Sequence, residues 1–346
     1  MFPRKRTMAS NSTVRDGGVN DSGGVEILCD EMVDFETFSG AFFILIFIFS
    51  FTCNCLLVFV LVIYEDLRHV TNIFILNLAC SDLIFTVTLP FSAVYQLHQW
   101  VFGEFACKLM IAAYIVGLYS SIILLTAMTV DRFRTVVLHN WPANSARRQR
   151  CAMVSCAAAW VLSIAASVRD AIKVTVEDWD GIYRCEDPSD GHDDKLGYYL
   201  QVSLLFFLPF AIIVFCYSAI LKTVLQASNR RKHRTVVVVL CIVAAFFVCW
   251  GPHNILILIG SLYEPKSCSA MERLFNAYYI CRILAYSHCC MNPLLYMLSH
   301  KLQRHLLDLL RCEKVRRKNR GRDTSVVQNV AFTAQNSAVM LELNTT

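Results

Sequence analysis

Residues 37–64 read TFSGAFFILIFIFSFTCNCLLVFVLVIY, a stretch without a single charged side chain. A bilayer core is about 30 Å thick and a helix needs about 20 residues to cross it, so this segment is long enough to span. Outward from it the same depletion of charge recurs at 69–103 (interrupted by Asp82), 109–130, 151–168, 196–221, 235–263 and 274–300 (interrupted by Arg282). Of the 346 residues 56% are apolar and 17% charged, which excludes a disordered or collagen-like chain and argues against a soluble domain, where about 25% charge is usual. The pattern predicts an all-α membrane protein, a seven-transmembrane-helix bundle.

The remaining charges orient the bundle. With the N-terminus outside, the outer segments hold 11 Lys/Arg against 19 Asp/Glu, and the inner segments hold 20 against 7. Basic excess marks the cytoplasmic side, so the N-terminus is expected outside and the C-terminus inside. Four parts follow: an outer tail (1–36), the seven-helix domain (37–300), a short amphipathic eighth helix (301–312) and a cytoplasmic tail (313–346). The outer tail has no apolar run that would make a cleavable signal, so the first span is expected to direct insertion. Between Asp16 and Glu36 it has seven acids and no base, which suits a docking strip for a basic ligand as well as a solvated segment. Asn11 and Asn20 head Asn-x-Ser/Thr sites on the side where glycosylation is possible. Residues 301–312 (KLQRHLLDLLRC) alternate apolar and basic positions at helical spacing, as a helix lying on membrane lipid would, and place Cys312 for palmitoylation.

Of the 16 cysteines, Cys29, Cys107, Cys185 and Cys268 fall in or beside outer segments, where disulfides persist, and four cysteines allow three pairings. Most of the others lie within spans and read as small buried hydrophobes. His288, Cys289 and Cys290 are consecutive and point in different directions on a helix, so they make no metal site.

Ionisable residues at membrane depth are functional candidates by default. Asp82 needs a cation or hydrogen-bond partners, and Ser121 and Asn292 from other spans are plausible ones; the alternatives are a structural polar knot and a sodium-linked switch. Asp131-Arg132-Phe133 closes the third span at its inner edge, where the Arg either snorkels or pairs with the acid beside it. Pro90, Pro209, Pro252 and Pro293 each free a backbone carbonyl within a span and permit a bend. No zinc-protease, hydrolase-elbow or phosphate-loop motif is present, so an enzyme is not expected. Seven spans without an inverted repeat also count against a transporter.

Residues 37–312 resemble the rhodopsin-like G protein-coupled receptors. The likeness runs through Asn54, Leu78-Ala79-Cys80-Ser81-Asp82, Cys107, Asp131-Arg132-Phe133, Trp160, Pro209, Tyr217, Phe246, Cys249-Trp250-Gly251-Pro252 and Asn292-Pro293-Leu294-Leu295-Tyr296. Within that group the chain is similar to chemokine receptors, through Thr88-Leu89-Pro90-Phe91, Trp100-Val101-Phe102-Gly103 and Ser287-His288-Cys289-Cys290-Met291-Asn292-Pro293. Residues 71–78, 118–121, 231–235, 250–254 and 280–288 look most like the XC (lymphotactin) branch.

The resemblance implies disulfides Cys107–Cys185 and Cys29–Cys268, and a chemokine ligand. Asp30, Glu31, Asp34 and Glu36 would meet the ligand's core, and Trp100, Tyr114, His253, Tyr278 and Arg282 its flexible N-terminus. Asp131, Arg132, Phe133, Tyr217, Phe246, Trp250, Pro252, Asn292, Pro293 and Tyr296 would form the activation switch. It further implies a heterotrimeric G protein of the Gi class as partner, arrestin and receptor kinases acting on the tail, calcium signalling and chemotaxis, and a plasma-membrane location. No cofactor is expected beyond a sodium ion at Asp82, Ser121 and Asn292, and no nucleic acid. Several positions depart from the group. Phe133 replaces the usual Tyr, which keeps the Asp-Arg pair but leaves room for an alternative, a scavenger that internalises chemokine without activating a G protein. Lys232 stands where many relatives have an acid, Arg282 where many have Glu, and Arg169 where Pro is frequent. The outer tail has no Tyr to sulfate.

Overall fold

A computed structural model describes residues 35–138, 145–179, 181–186, 203–226, 230–262 and 267–297. Its helices are α1 (Phe35–Tyr64), α2 (Val70–Thr86), α3 (Leu89–Leu97), α4 (Gly103–Val136), α5 (Ser145–Lys173), α6 (Leu208–Gln226), α7 (Arg230–Leu262), α8 (Cys268–Tyr286) and α9 (His288–Met297). A π-helical turn, Ser203–Phe207, leads into α6. The chain divides into two compact units, residues 1–295 and 296–346, and of the second only Tyr296 and Met297, the end of α9, are described. Among the described residues five segments are long and apolar enough to cross a membrane: Thr37–Tyr64, Val70–Leu97, Gly103–Val136, Ser145–Lys173 and Val243–Gly260. The fold is that of an all-α membrane protein. Large apolar side chains such as Leu45, Phe49, Val154 and Phe215 stand exposed on the outside of the bundle, which is stable only against lipid.

Two spans are each two helices. The second breaks between α2 and α3, where Pro90 in the first turn of α3 offers no N–H to the Thr86 carbonyl. Thr88 closes that break by donating its hydroxyl to the Phe85 carbonyl at 2.7 Å. The seventh breaks between α8 and α9 at Ser287, whose hydroxyl donates to the Leu284 carbonyl at 2.7 Å. Inside α9, Pro293 cannot donate to the Cys289 carbonyl four residues back. Two side chains of α1 take over: Asn54 Nδ2 donates to that oxygen at 2.9 Å and Ser50 Oγ at 3.2 Å. At membrane depth no water is present to do this, so the pair keeps a proline-bent helix satisfied.

Packing of α2 against α4 depends on a residue without a side chain. A Cβ on Gly117 would lie 2.8 Å from the Phe85 Cβ and backbone nitrogen. That close approach lets Ser81 reach the Gly117 carbonyl at 2.8 Å.

One element departs from an all-helical expectation. After α5 the chain forms an antiparallel hairpin, β1 (Thr175–Trp179) with β2 (Ile182–Glu186), in which Val176 faces Cys185. Gly181 takes φ +82° at its turn, a conformation that favours glycine. The outer tail with Asn11, Asn20, Cys29, Asp30, Glu31 and Asp34 lies outside the described residues, as do the expected eighth helix at 301–312, Cys312 and the cytoplasmic tail. The side chains of Glu36, Lys232, Cys268 and Tyr296 do too.

Candidate functional site

The hairpin is fastened to the bundle at the start of α4. Cys107 forms a disulfide with Cys185, tying α4 to β2. Trp100 N donates to the Tyr183 carbonyl at 3.0 Å, and Tyr183 N donates to Gln99 Oε1 at 2.9 Å. Trp100 is 4% exposed, packs with Cys107, Val174 and Cys185, and gives its indole N–H to the Gly103 carbonyl at 2.8 Å. Trp100, expected among the ligand contacts, thus stands where the hairpin attaches. Its surface and its one donor are already engaged, so Trp100 anchors the hairpin.

Below the hairpin, aromatic side chains from α2, α4, α7, α8 and α9 form one continuous cluster. Trp250, buried in α7, is ringed by Phe85, Tyr114, Phe246, His253, Tyr286 and His288 at centroid distances of 5.3–6.5 Å. His253 lies one turn on and packs against Tyr278 at 5.4 Å. Arg282 stands one turn after Tyr278 on α8, which places both on one face. Its guanidinium lies over Phe43 (5.4 Å) and Tyr286 (5.2 Å), and its Nε donates to the Tyr286 hydroxyl at 3.3 Å. Cation–π contacts of this kind are worth about 0.5–2 kcal/mol, less than the cost of desolvating a cation. Four expected residues, Tyr114, His253, Tyr278 and Arg282, are thus brought together. Phe43, Phe85 and Tyr286 were not expected; Tyr286, four residues after Arg282, is the one that helical spacing could have found.

A polar knot lies deeper. Asp82 is fully buried and accepts from Ser121 Oγ on Oδ1 at 3.2 Å and from Asn292 Nδ2 on Oδ2 at 2.7 Å. Ser121 also meets Ser81 at 2.8 Å, and Ser81 bonds Ser120. Asp82, Ser121 and Asn292 are thus brought together. Ser81 and Ser120 were missed because serines in a charge-poor span carry no signal of their own. His288 is held by Nδ1 to the Ala285 carbonyl at 2.8 Å and by rings on two sides, as a packing residue.

At the far end of α4 the acid and the base of Asp131-Arg132 take different partners. Asp131 receives a two-point contact from Arg148 of α5, Nε to Oδ1 at 2.9 Å and Nη2 to Oδ2 at 2.6 Å. Arg132 donates to the Thr71 hydroxyl of α2. Neighbours on a helix diverge by about 100°, and the acid meets its two-point partner on another helix. Phe133 packs on Phe215 at 6.0 Å, and Tyr217 is buried. Trp160 donates to Asn77 Oδ1 at 3.0 Å, joining α5 to α2.

Comparison with known proteins agrees with this arrangement. Residues 53–296 match the 7 transmembrane receptor (rhodopsin family) pattern. Chemokine XC receptor 1 of Homo sapiens is 40% identical over 278 residues, covering 77% of this chain and 79% of that one. Its Mus musculus counterpart is 36% identical, covering 82% and 87%. C-C chemokine receptor type 8 of Homo sapiens is 34% identical, covering 78% and 77%. The chain therefore belongs to the rhodopsin family of seven-transmembrane receptors, and within it to the chemokine receptors, near their XC branch.

Proposed function

We propose that this receptor, a multi-pass protein of the plasma membrane, answers a basic chemokine of the XC type presented from outside. On this reading it activates a heterotrimeric G protein of the Gi class inside, driving calcium signalling and chemotaxis. The observation that carries the ligand class is Arg282. It stands with Tyr114, His253 and Tyr278 at a point where an acid would suit a different ligand, in a chain 40% identical to a chemokine XC receptor.

A basic chemokine is steered by the acidic outer segments, with Asp30, Glu31, Asp34 and Glu36 meeting its folded core. Its flexible N-terminus then reaches Arg282 and its aromatic neighbours. Those rings abut Trp250, so a ligand that binds one arrangement of the cluster more tightly shifts the equilibrium of α7 around Pro252. Arg132, Phe133 and Tyr217, with Asn292, Pro293 and Tyr296, form the inner part of that switch. Within the same reading Asp82, Ser121 and Asn292 take an allosteric sodium ion, and Cys29 pairs with Cys268. Asn11 and Asn20 carry glycans, Cys312 is palmitoylated, and the tail meets lipid, arrestin and receptor kinases.

The test is Gi activation in cells expressing the chain, challenged with a panel of chemokines that includes an XC ligand. A response to the XC ligand that is lost in Arg132→Ala supports the proposal. Uptake of chemokine without nucleotide exchange overturns it in favour of a scavenger.

A further inference from the structure

Arg282 has five N–H donors, and one of them, on Nε, is engaged with the Tyr286 hydroxyl. Among the described residues it forms no ion pair and no other hydrogen bond. Its contacts with Phe43 and Tyr286 satisfy none of the remaining donors. With Nε occupied, what is left is the end-on fork of Nη1 and Nη2, whose two parallel N–H groups match the two oxygens of a carboxylate.

A second group in the same cluster can meet the same ligand, in the tautomer that carries its proton on Nδ1. His253 is 5% exposed, sits between Trp250 and Tyr278, and lies within electrostatic reach of the Arg282 guanidinium. Its Nδ1 is buried with no hydrogen-bond partner among the described residues. The geometry points to a carboxylate subsite formed by Arg282 and His253, which selects a peptide ligand bearing an Asp or Glu side chain in the segment that enters the bundle. This rests on the chemokine reading above for the source of the peptide, but not for the chemistry of the subsite. Glu186, which accepts from the Tyr95 hydroxyl at 3.1 Å and acts electrostatically on Tyr278, supplies the opposite sign and an internal control.

The subsite is tested first without any chemokine. A thiol is introduced by Tyr278→Cys in the full-length receptor, one turn before Arg282. Its rates of modification by an anionic sulfonatoethyl and a cationic trimethylammonioethyl methanethiosulfonate are compared, against the unsubstituted receptor as background and a small free thiol as reference. A nearby uncompensated cation is expected to favour the anionic reagent about tenfold. The preference should fall to about onefold with Arg282→Gln, persist with Arg282→Lys and rise with Glu186→Gln. No preference, or one that Arg282→Gln leaves intact, overturns the subsite.

The second arm uses a recombinant XC-type chemokine with each acidic residue of its N-terminal segment changed in turn to the amide. One such change should lower potency at least tenfold on the unsubstituted receptor and have no further effect on Arg282→Gln. Equal losses on both receptors overturn the carboxylate contact. If the XC chemokine is silent while the reagent preference stands, the subsite is supported and the ligand reading is what fails.

Discussion

Two formally charged side chains interrupt the apolar spans, and the bundle treats them oppositely. Asp82 accepts only, and donors from α4 and α9 reach both of its oxygens. Arg282 donates only, and it receives one hydroxyl and two ring faces. Both positions look alike in the sequence, as one charge in a long apolar run. What separates them is how far the fold itself supplies partners: both oxygens of Asp82 meet donors of its own chain, whereas Arg282 keeps donors for something from outside it.

The largest expected effect comes from breaking the closed site. Asp82→Leu leaves the Ser121 hydroxyl and the Asn292 amide buried without their acceptor, and should destabilise the receptor by about 3–5 kcal/mol. Asp82→Asn keeps one acceptor oxygen and should cost roughly half as much. Thermal unfolding of the detergent-solubilised receptor, followed by the monomer peak remaining after heating, gives both values. A loss under about 1 kcal/mol for the Leu variant would mean that the knot does not stabilise the fold.

A smaller effect probes the other satisfied site, where α1 serves the carbonyl that Pro293 leaves open. Asn54→Ala should cost about 1–3 kcal/mol, since the Cys289 carbonyl would keep only Ser50 as donor. Pro293→Ala restores a backbone N–H to that carbonyl, so the two substitutions should couple. Asn54→Ala is then expected to cost about 1 kcal/mol less in the Pro293→Ala background. Additive losses would show that Asn54 acts elsewhere.

The spans and the Asp82 site were legible in the sequence because charge depletion measures them directly. So were Tyr114, His253, Tyr278 and Arg282 as a group, through resemblance. The hairpin was missed: Asp180-Gly181 between short β-prone segments is a turn signal, but charge counting reads the region only as acidic. The breaks at Ser287 and Val87 were half legible, since a proline marks that a helix must bend without saying where. Asp131 with Arg148 was not legible at all. The pair joins separate helices across 17 positions, and no spacing rule within one helix marks it.

That ion pair gives the third prediction. Arg148→Gln should cost about 1 kcal/mol or less in stability, because the pair is partly exposed. Its functional effect should be larger. Asp131 would be free to hold Arg132, and basal nucleotide exchange on the G protein should fall by about 2–5-fold, a shift of roughly 1 kcal/mol in the switch equilibrium. Arg148→Lys keeps one contact and should lie between. Unchanged basal exchange at equal surface expression would rule out competition for Asp131.

The smallest stability change is expected at Arg282, and its smallness is the point. A cation held at membrane depth by one hydroxyl and two rings loses more by desolvation than those contacts return, whereas an apolar side chain of similar length keeps the contacts with Phe43 and Tyr286. Arg282→Met should therefore leave the unliganded receptor within about 1 kcal/mol of its original stability, or raise it, in contrast with Asp82→Leu in the same assay. Chemokine potency should drop together with this neutral or favourable change. A stability that is sacrificed for binding has this signature, and a residue needed for the fold does not. If Arg282→Met destabilises the receptor as much as Asp82→Leu, the guanidinium has partners within its own chain and the contrast between the two charges collapses.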